Sequence, residues 1–105
     1  MENVNIDFSS FVLSLATGAA SALSEAETLK SGKATAEDGT KKDIPPEEAK
    51  KQSDAALNAA RHLIDTLAML EEKTKGNVSD AERLVLQGSL TNLRIQYVKL
   101  ATPGN

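Results

Sequence analysis

The chain has 105 residues and a formal net charge of −3, with 12 Lys and Arg against 15 Asp and Glu. A single domain's length without a basic surplus argues against nucleic-acid binding. The absence of cysteine excludes disulfides, thiolate metal sites and thiol nucleophiles, and agrees with a reducing compartment. Aromatic residues make up only 3% and hydrophobic residues 40%, so the core must come from Leu, Ile, Val and Ala, which suits close-packed helices.

Met1 to Ile6 reads as a polar lead-in, and Asp7 can cap a helix that begins at Phe8. Helix 1 is expected over about 8–29. Phe8 to Ser24 carries no charge, yet the run is too short and too rich in Ser, Thr and Gly for a membrane span. Ala20-Ser21-Ala22 resembles a signal-peptide cleavage site, but the residues before it hold Glu2 and Asp7 and no Lys or Arg, the wrong sign for a leader. The run therefore reads as a buried soluble helix, with no membrane insertion.

Ser10, Ser14, Thr17, Ser21, Ser24 and Thr28 fall on one narrow stripe of that helix, and almost everything else is apolar or small. Such a wide apolar arc implies more than one neighbour. Ser14, Gly18 and Ala22 form a ridge of small residues that lets another backbone approach closely.

Residues 30–45 read as a flexible first connection, because Lys30 to Asp43 is polar, holds Gly32 and Gly39, and offers little to pack. Ile44-Pro45-Pro46-Glu47-Glu48 is a helix start, with proline in the first turn and acids at the positive end of the dipole. Helix 2 is expected over about 46–75. Its Ala-rich first half has helix propensity but little to bury, and Leu57, Leu63, Ile64, Leu67 and Leu70 carry its packing. Arg61 with Asp65, and Glu71 with Lys75, are spaced as i,i+4 ion pairs.

A tight corner follows. Lys73 and Lys75 suit the negative end of helix 2, Gly76 suits a left-handed cap, and Ser79-Asp80-Ala81-Glu82 spells a capping box. Helix 3 is expected over about 80–101, stopped by Pro103. The fold class is thus all-α, a three-helix antiparallel bundle with a long second helix.

No acid/base or nucleophile constellation emerges, so no enzyme is expected and no catalytic residue, metal ligand or cofactor is assigned. His62 lies beside Arg61 on the polar side of helix 2, and pairing it with Asp65 makes a poor metal site. Glu71 and Glu72 are adjacent and point to different azimuths. Asn77-Val78-Ser79 matches a glycosylation sequon, but Ser79 already has a structural role as a cap.

Phe8-Ser9-Ser10-Phe11-Val12-Leu13-Ser14-Leu15-Ala16, Ile64 to Asn77, and Arg94-Ile95-Gln96-Tyr97-Val98 together resemble a small bacterial domain-of-unknown-function family of short all-helical proteins. The likeness covers helix 1, the second half of helix 2 and helix 3, and departs from it over Lys30 to Ala60. It implies a bacterial, cytoplasmic protein and carries over no catalytic or ligand-binding residue.

Helix 3 holds the sharpest signal. Leu86, Leu90, Leu93, Tyr97 and Leu100 form one seam, and Leu84, Gly88, Thr91, Ile95 and Val98 form another with the same steps. The two lie about 160° apart on a helical wheel. One seam can meet helix 2. The other needs either helix 1 or a second subunit. The expectation is a homodimer or higher oligomer, using the second seam together with Phe11, Leu15 and Gly18 of helix 1. The leading functional reading is a non-enzymatic protein that self-associates or binds a partner through helix faces. The alternative is a small-molecule-binding or regulatory module with residues 30–43 as its lid.

Overall fold

The computed structural model describes residues 7–101. The expected lead-in Met1 to Ile6 and the stop at Pro103 lie outside them. Three helices, α1 (Phe8–Lys30), α2 (Pro46–Lys73) and α3 (Asp80–Ala101), form an all-α bundle, with two short strands, β1 (Lys33–Thr35) and β2 (Lys41–Asp43), between the first two helices.

Each helix starts where the chemistry of its first residues dictates. The Asp7 carboxylate accepts the Ser10 amide at 2.8 Å, which satisfies one of the unpaired donors of α1. Pro46 opens α2, with Glu47 and Glu48 in its first turn. At α3 the capping box closes in both directions: the Glu82 amide donates to Ser79 Oγ at 3.1 Å, and the Ser79 amide donates to Glu82 Oε1 at 2.9 Å.

Between α2 and α3, Gly76 takes φ +82°, a conformation that a side chain would strain. The Thr74 amide and hydroxyl both donate to the Leu70 carbonyl. α2 thus ends at Lys73, two residues short of the expected Lys75. This changes one ion pair. Lys75 lies past the helix, where i,i+4 geometry no longer applies, and it reaches Glu72 at 3.7 Å rather than Glu71. The Arg61–Asp65 pair is present at 3.8 Å.

The first connection is not structureless. β1 and β2 pair antiparallel, with Lys33 opposite Asp43, Ala34 opposite Lys42 and Thr35 opposite Lys41. Their turn is closed by the Gly39 amide donating to the Ala36 carbonyl and by the Ala36 amide donating to the Thr40 carbonyl. Gly39 sits at φ +90°, the left-handed position that a three-residue hairpin loop requires. Asp38 Oδ1 accepts from the Thr40 hydroxyl at 2.7 Å and from its amide at 3.0 Å. Lys33 Nζ meets Asp43 Oδ1 at 2.6 Å across the strands. Ala34 and Ile44 pack against the core and dock the hairpin on the end of α1.

The core lies where the helices converge: Val12, Ala19, Leu23, Ala26 and Leu29 from α1; Ala56, Leu57, Ala60, Ile64 and Leu67 from α2; Leu86, Leu90 and Leu93 from α3. The wide apolar arc of α1 has its expected consequence, since α1 packs against both α2 and α3. The early alanines of α2 do more than favour helix. Ala49, Ala56 and Ala60 are buried, and their small side chains let α1 lie close. The one buried polar side chain among the described residues, Ser53, donates its hydroxyl to the Lys50 carbonyl at 3.0 Å. No helix among the described residues is long and apolar enough to cross a membrane.

Candidate functional site: the outer face of α3

The two seams of α3 have opposite fates. Leu86, Leu90 and Leu93 are 1–3% exposed, and Tyr97 and Leu100 pack on the core behind them. On the far side, Leu84 is 67%, Ile95 52% and Val98 60% exposed. Gly88 and Thr91 lie between them and are exposed too. Helix 1 therefore does not cover the second seam. It lies on the inner side of α3, where Ala20, Leu23, Ser24 and Glu27 face Gln96, Lys99 and Leu100.

The helix-1 residues expected to share this face have a different setting. A Cβ on Gly18 would stand 3.3 Å from Leu63 Cδ1, so the close approach that Gly18 permits is made to α2 within the chain. Leu15 packs against the core. Phe11, seven residues from Gly18 and so on the same side of α1, is 49% exposed. The eight expected interface residues thus divide. Leu84, Gly88, Thr91, Ile95 and Val98 form one exposed face, while on α1 Gly18 meets α2, Leu15 packs on the core and Phe11 is exposed away from that face.

Charge frames the α3 face. From Arg83 to Ala101 the helix has Arg83, Arg94 and Lys99 and no acid. Arg83 is paired with Asp80 at 2.9 Å. Arg94 and Lys99 bracket Ile95 and Val98 in sequence and are exposed.

A second feature escaped the sequence. An open groove of about 800 Å³ lies where α3 ends against α2, walled by the end of α1, Gly32 and Ile44 beside the hairpin, the first turns of α2, and Tyr97 and Ala101 of α3. It arises because α2, with 28 residues, outruns α3, with 22. Lys50 and Asp54 on its rim pair with each other at 3.1 Å. His62 is exposed, and no group of three His, Asp or Glu side chains gathers among the described residues.

The titratable groups displaced from their ordinary values serve local structure. Asp7 is lowered by the Ser10 amide that it caps. Asp38 is lowered by the Thr40 hydroxyl and then by its amide. Asp43 is lowered by its hydrogen bond from Lys33 and then by that ammonium's charge. Each is accounted for by a cap or by the hairpin, so none points to chemistry.

No curated protein and no solved structure matches the chain. A family model does, and its match spans Lys30 to Ala60 as well as the three stretches that carry the resemblance; over residues 5–99 the chain belongs to the family described as Domain of unknown function (DUF1844).

Proposed function

We propose that this is a non-enzymatic helical protein that works by protein–protein contact through the outer face of α3, first of all with another copy of itself as a homodimer. The observation that supports this reading is the exposure of Leu84, Ile95 and Val98 along one stripe of a helix whose opposite stripe is already buried. Leu84 stands at one end of the stripe and Ile95 with Val98 at the other, with Gly88 and Thr91 between them, and apolar side chains gathered on one helix face support contact with a partner. The family resemblance and the cysteine-free sequence support a bacterial cytoplasmic setting.

Light scattering across a concentration series tests the proposal. The wild type is expected to gain mass with concentration, and Ile95→Asp is expected to stay folded and monomeric. A wild type that remains monomeric at millimolar concentration refutes self-association.

The groove at the end of α3 favours a second reading, a small-molecule or regulatory module with the hairpin as its lid, because Gly32 and Ile44 on either side of the hairpin line it. A small molecule retained by the purified protein in native mass spectrometry, and lost on Tyr97→Ala, would support it.

A further inference from the structure

We propose that Asp38 is a site of isoaspartate formation, at its bond to Gly39, and that the folded hairpin holds this reaction in check. The proposal stands independently of the contact reading of α3.

The sequence singles out the position. Among the aspartates and asparagines of the chain, only Asp38 precedes a glycine. A glycine has no Cβ, so its backbone nitrogen is open to approach by the preceding side chain. Asp54 and Asp65, by contrast, lie inside α2, where the next amide is held in the helical hydrogen-bond ladder. Asp38 and Gly39 are both exposed, at the turn between β1 and β2.

The reaction needs no partner but water. The Gly39 nitrogen attacks Cγ of the neutral Asp38 carboxyl group. The N–Cγ bond forms, the Cγ–OH bond breaks, and the hydroxyl leaves as water with the amide proton. A cyclic imide remains, and water then adds back and cleaves one of its C–N bonds. When the ring opens at the main-chain carbonyl of Asp38, that carbon becomes a free carboxylate and the chain runs on through Cβ and Cγ. The composition is unchanged, nothing is oxidised or reduced, and the backbone gains one atom.

The hairpin engages both reacting groups elsewhere. The Gly39 amide donates to the Ala36 carbonyl at 2.9 Å, which ties up the proton that must leave. Asp38 Oδ1 accepts the Thr40 hydroxyl at 2.7 Å and the Thr40 amide at 3.0 Å, so the carboxylate is committed to Thr40. The same donors stabilise the ionised form and hold Asp38 below its ordinary range, which keeps the reactive neutral carboxyl scarce. Behind the turn, the Ala36 amide meets the Thr40 carbonyl at 2.7 Å, the Ile44 amide meets the Gly32 carbonyl at 2.9 Å, and Lys33 meets Asp43 at 2.6 Å. The turn must open before the Gly39 nitrogen is free to reach Cγ, so the rate follows the population of the opened hairpin. A backbone longer by one atom no longer fits the closure of Ala36 on Thr40, so an isomerised hairpin does not reclose as before.

Trypsin cleavage after Lys33 and Lys41 releases Ala34–Lys41, which holds the bond in question. Its isoaspartyl form has the same mass, separates in liquid chromatography and resists cleavage before Asp38. The full chain, stored at about 37 °C and about pH 6, is expected to isomerise at least about tenfold more slowly when folded than in guanidinium chloride. Thr40→Val removes the hydroxyl and keeps the amide, and Lys33→Ala releases the far end of the hairpin without touching the turn. Each should raise the folded-state rate severalfold and leave the rate in guanidinium chloride unchanged. A folded chain that isomerises as fast as the unfolded one overturns the protection, and so does a folded-state rate that neither substitution moves. A chain that forms no isoaspartate at Asp38 even in guanidinium chloride overturns the site itself.

Discussion

Replacing Gly88 by alanine separates what the chain needs from what a partner needs. In the isolated protein the new methyl group meets no atom within 4 Å. The helix gains the propensity difference, about 0.5–1 kcal/mol, chiefly because the unfolded chain loses freedom. For a domain of this size each kcal/mol moves the midpoint by roughly 4–8 °C, so Gly88→Ala should melt about 2–8 °C higher. The melt must be followed by circular dichroism at low micromolar protein, where the monomer dominates. Sedimentation at a few hundred micromolar should show association weakened in the same variant, because the added methyl group stands on the face proposed for contact. The two signs are opposite, and that is the value of the substitution. A variant that melts lower than wild type in the monomer would show that Gly88 has a role within the fold, and the argument from its empty surroundings would collapse.

Leu90→Ala should destabilise the fold by about 2–5 kcal/mol, since Leu90 is 2% exposed, whereas Leu84→Ala should stay within about 0.5 kcal/mol; equal losses in urea titrations would mean that the two seams are not buried as described. The hairpin should weaken in acid. Asp38 and Asp43 are lowered in the folded state, so their contribution is full above the ordinary aspartate value and is lost as pH falls through the lowered one. Amide shifts of Lys33–Asp43 should therefore move toward unstructured values in that acid range, and a hairpin unchanged there would refute the role given to these carboxylates. His62→Ala should leave the melting temperature unchanged within error, and a shift of several degrees would overturn the solvent-exposed placement of that side chain.

The helices were legible because their ends carry local chemistry. Asp7, Pro46, Gly76 and the Ser79–Glu82 box each act through hydrogen bonds or backbone preferences spanning a few residues, and such signals survive without tertiary context. The hairpin is not legible for a different reason. Its apolar content is low, and low apolar content argues against structure. Yet Asp38-Gly39 between Thr35 and Thr40 is a strong short-range turn signal, and Lys33 and Asp43 are placed to pair across it. The burial of the α2 alanines is also hard to read from sequence, because a small side chain gives little transfer energy but decides how near a neighbouring helix can come. The groove was invisible for want of a local cause: it depends on the difference in length between α2 and α3 after packing. The direction in which Gly18 faces was likewise beyond the sequence, which marks the small-residue ridge but not which helix lies on it.

α3 also shows why a single-face description of amphipathicity can mislead. Its two apolar seams repeat the same alternation of four and three and lie on nearly opposite sides. Summed as vectors they almost cancel, so the helix looks weakly patterned although about half of its positions are committed to one seam or the other. A helix that served only the core of this bundle would keep Leu86, Leu90 and Leu93 and place Lys, Glu or Gln at positions 84, 88, 91, 95 and 98. Such residues favour helix and keep the outer surface soluble. This chain instead places Leu, Gly, Thr, Ile and Val there, four of which are poorer helix formers. Local propensity and solubility are both compromised on the same five positions, while the caps, the corner and the inner seam all agree with one another. A conflict of that kind, confined to one face of an otherwise consistent element, is a reason to test that face for the contact proposed above.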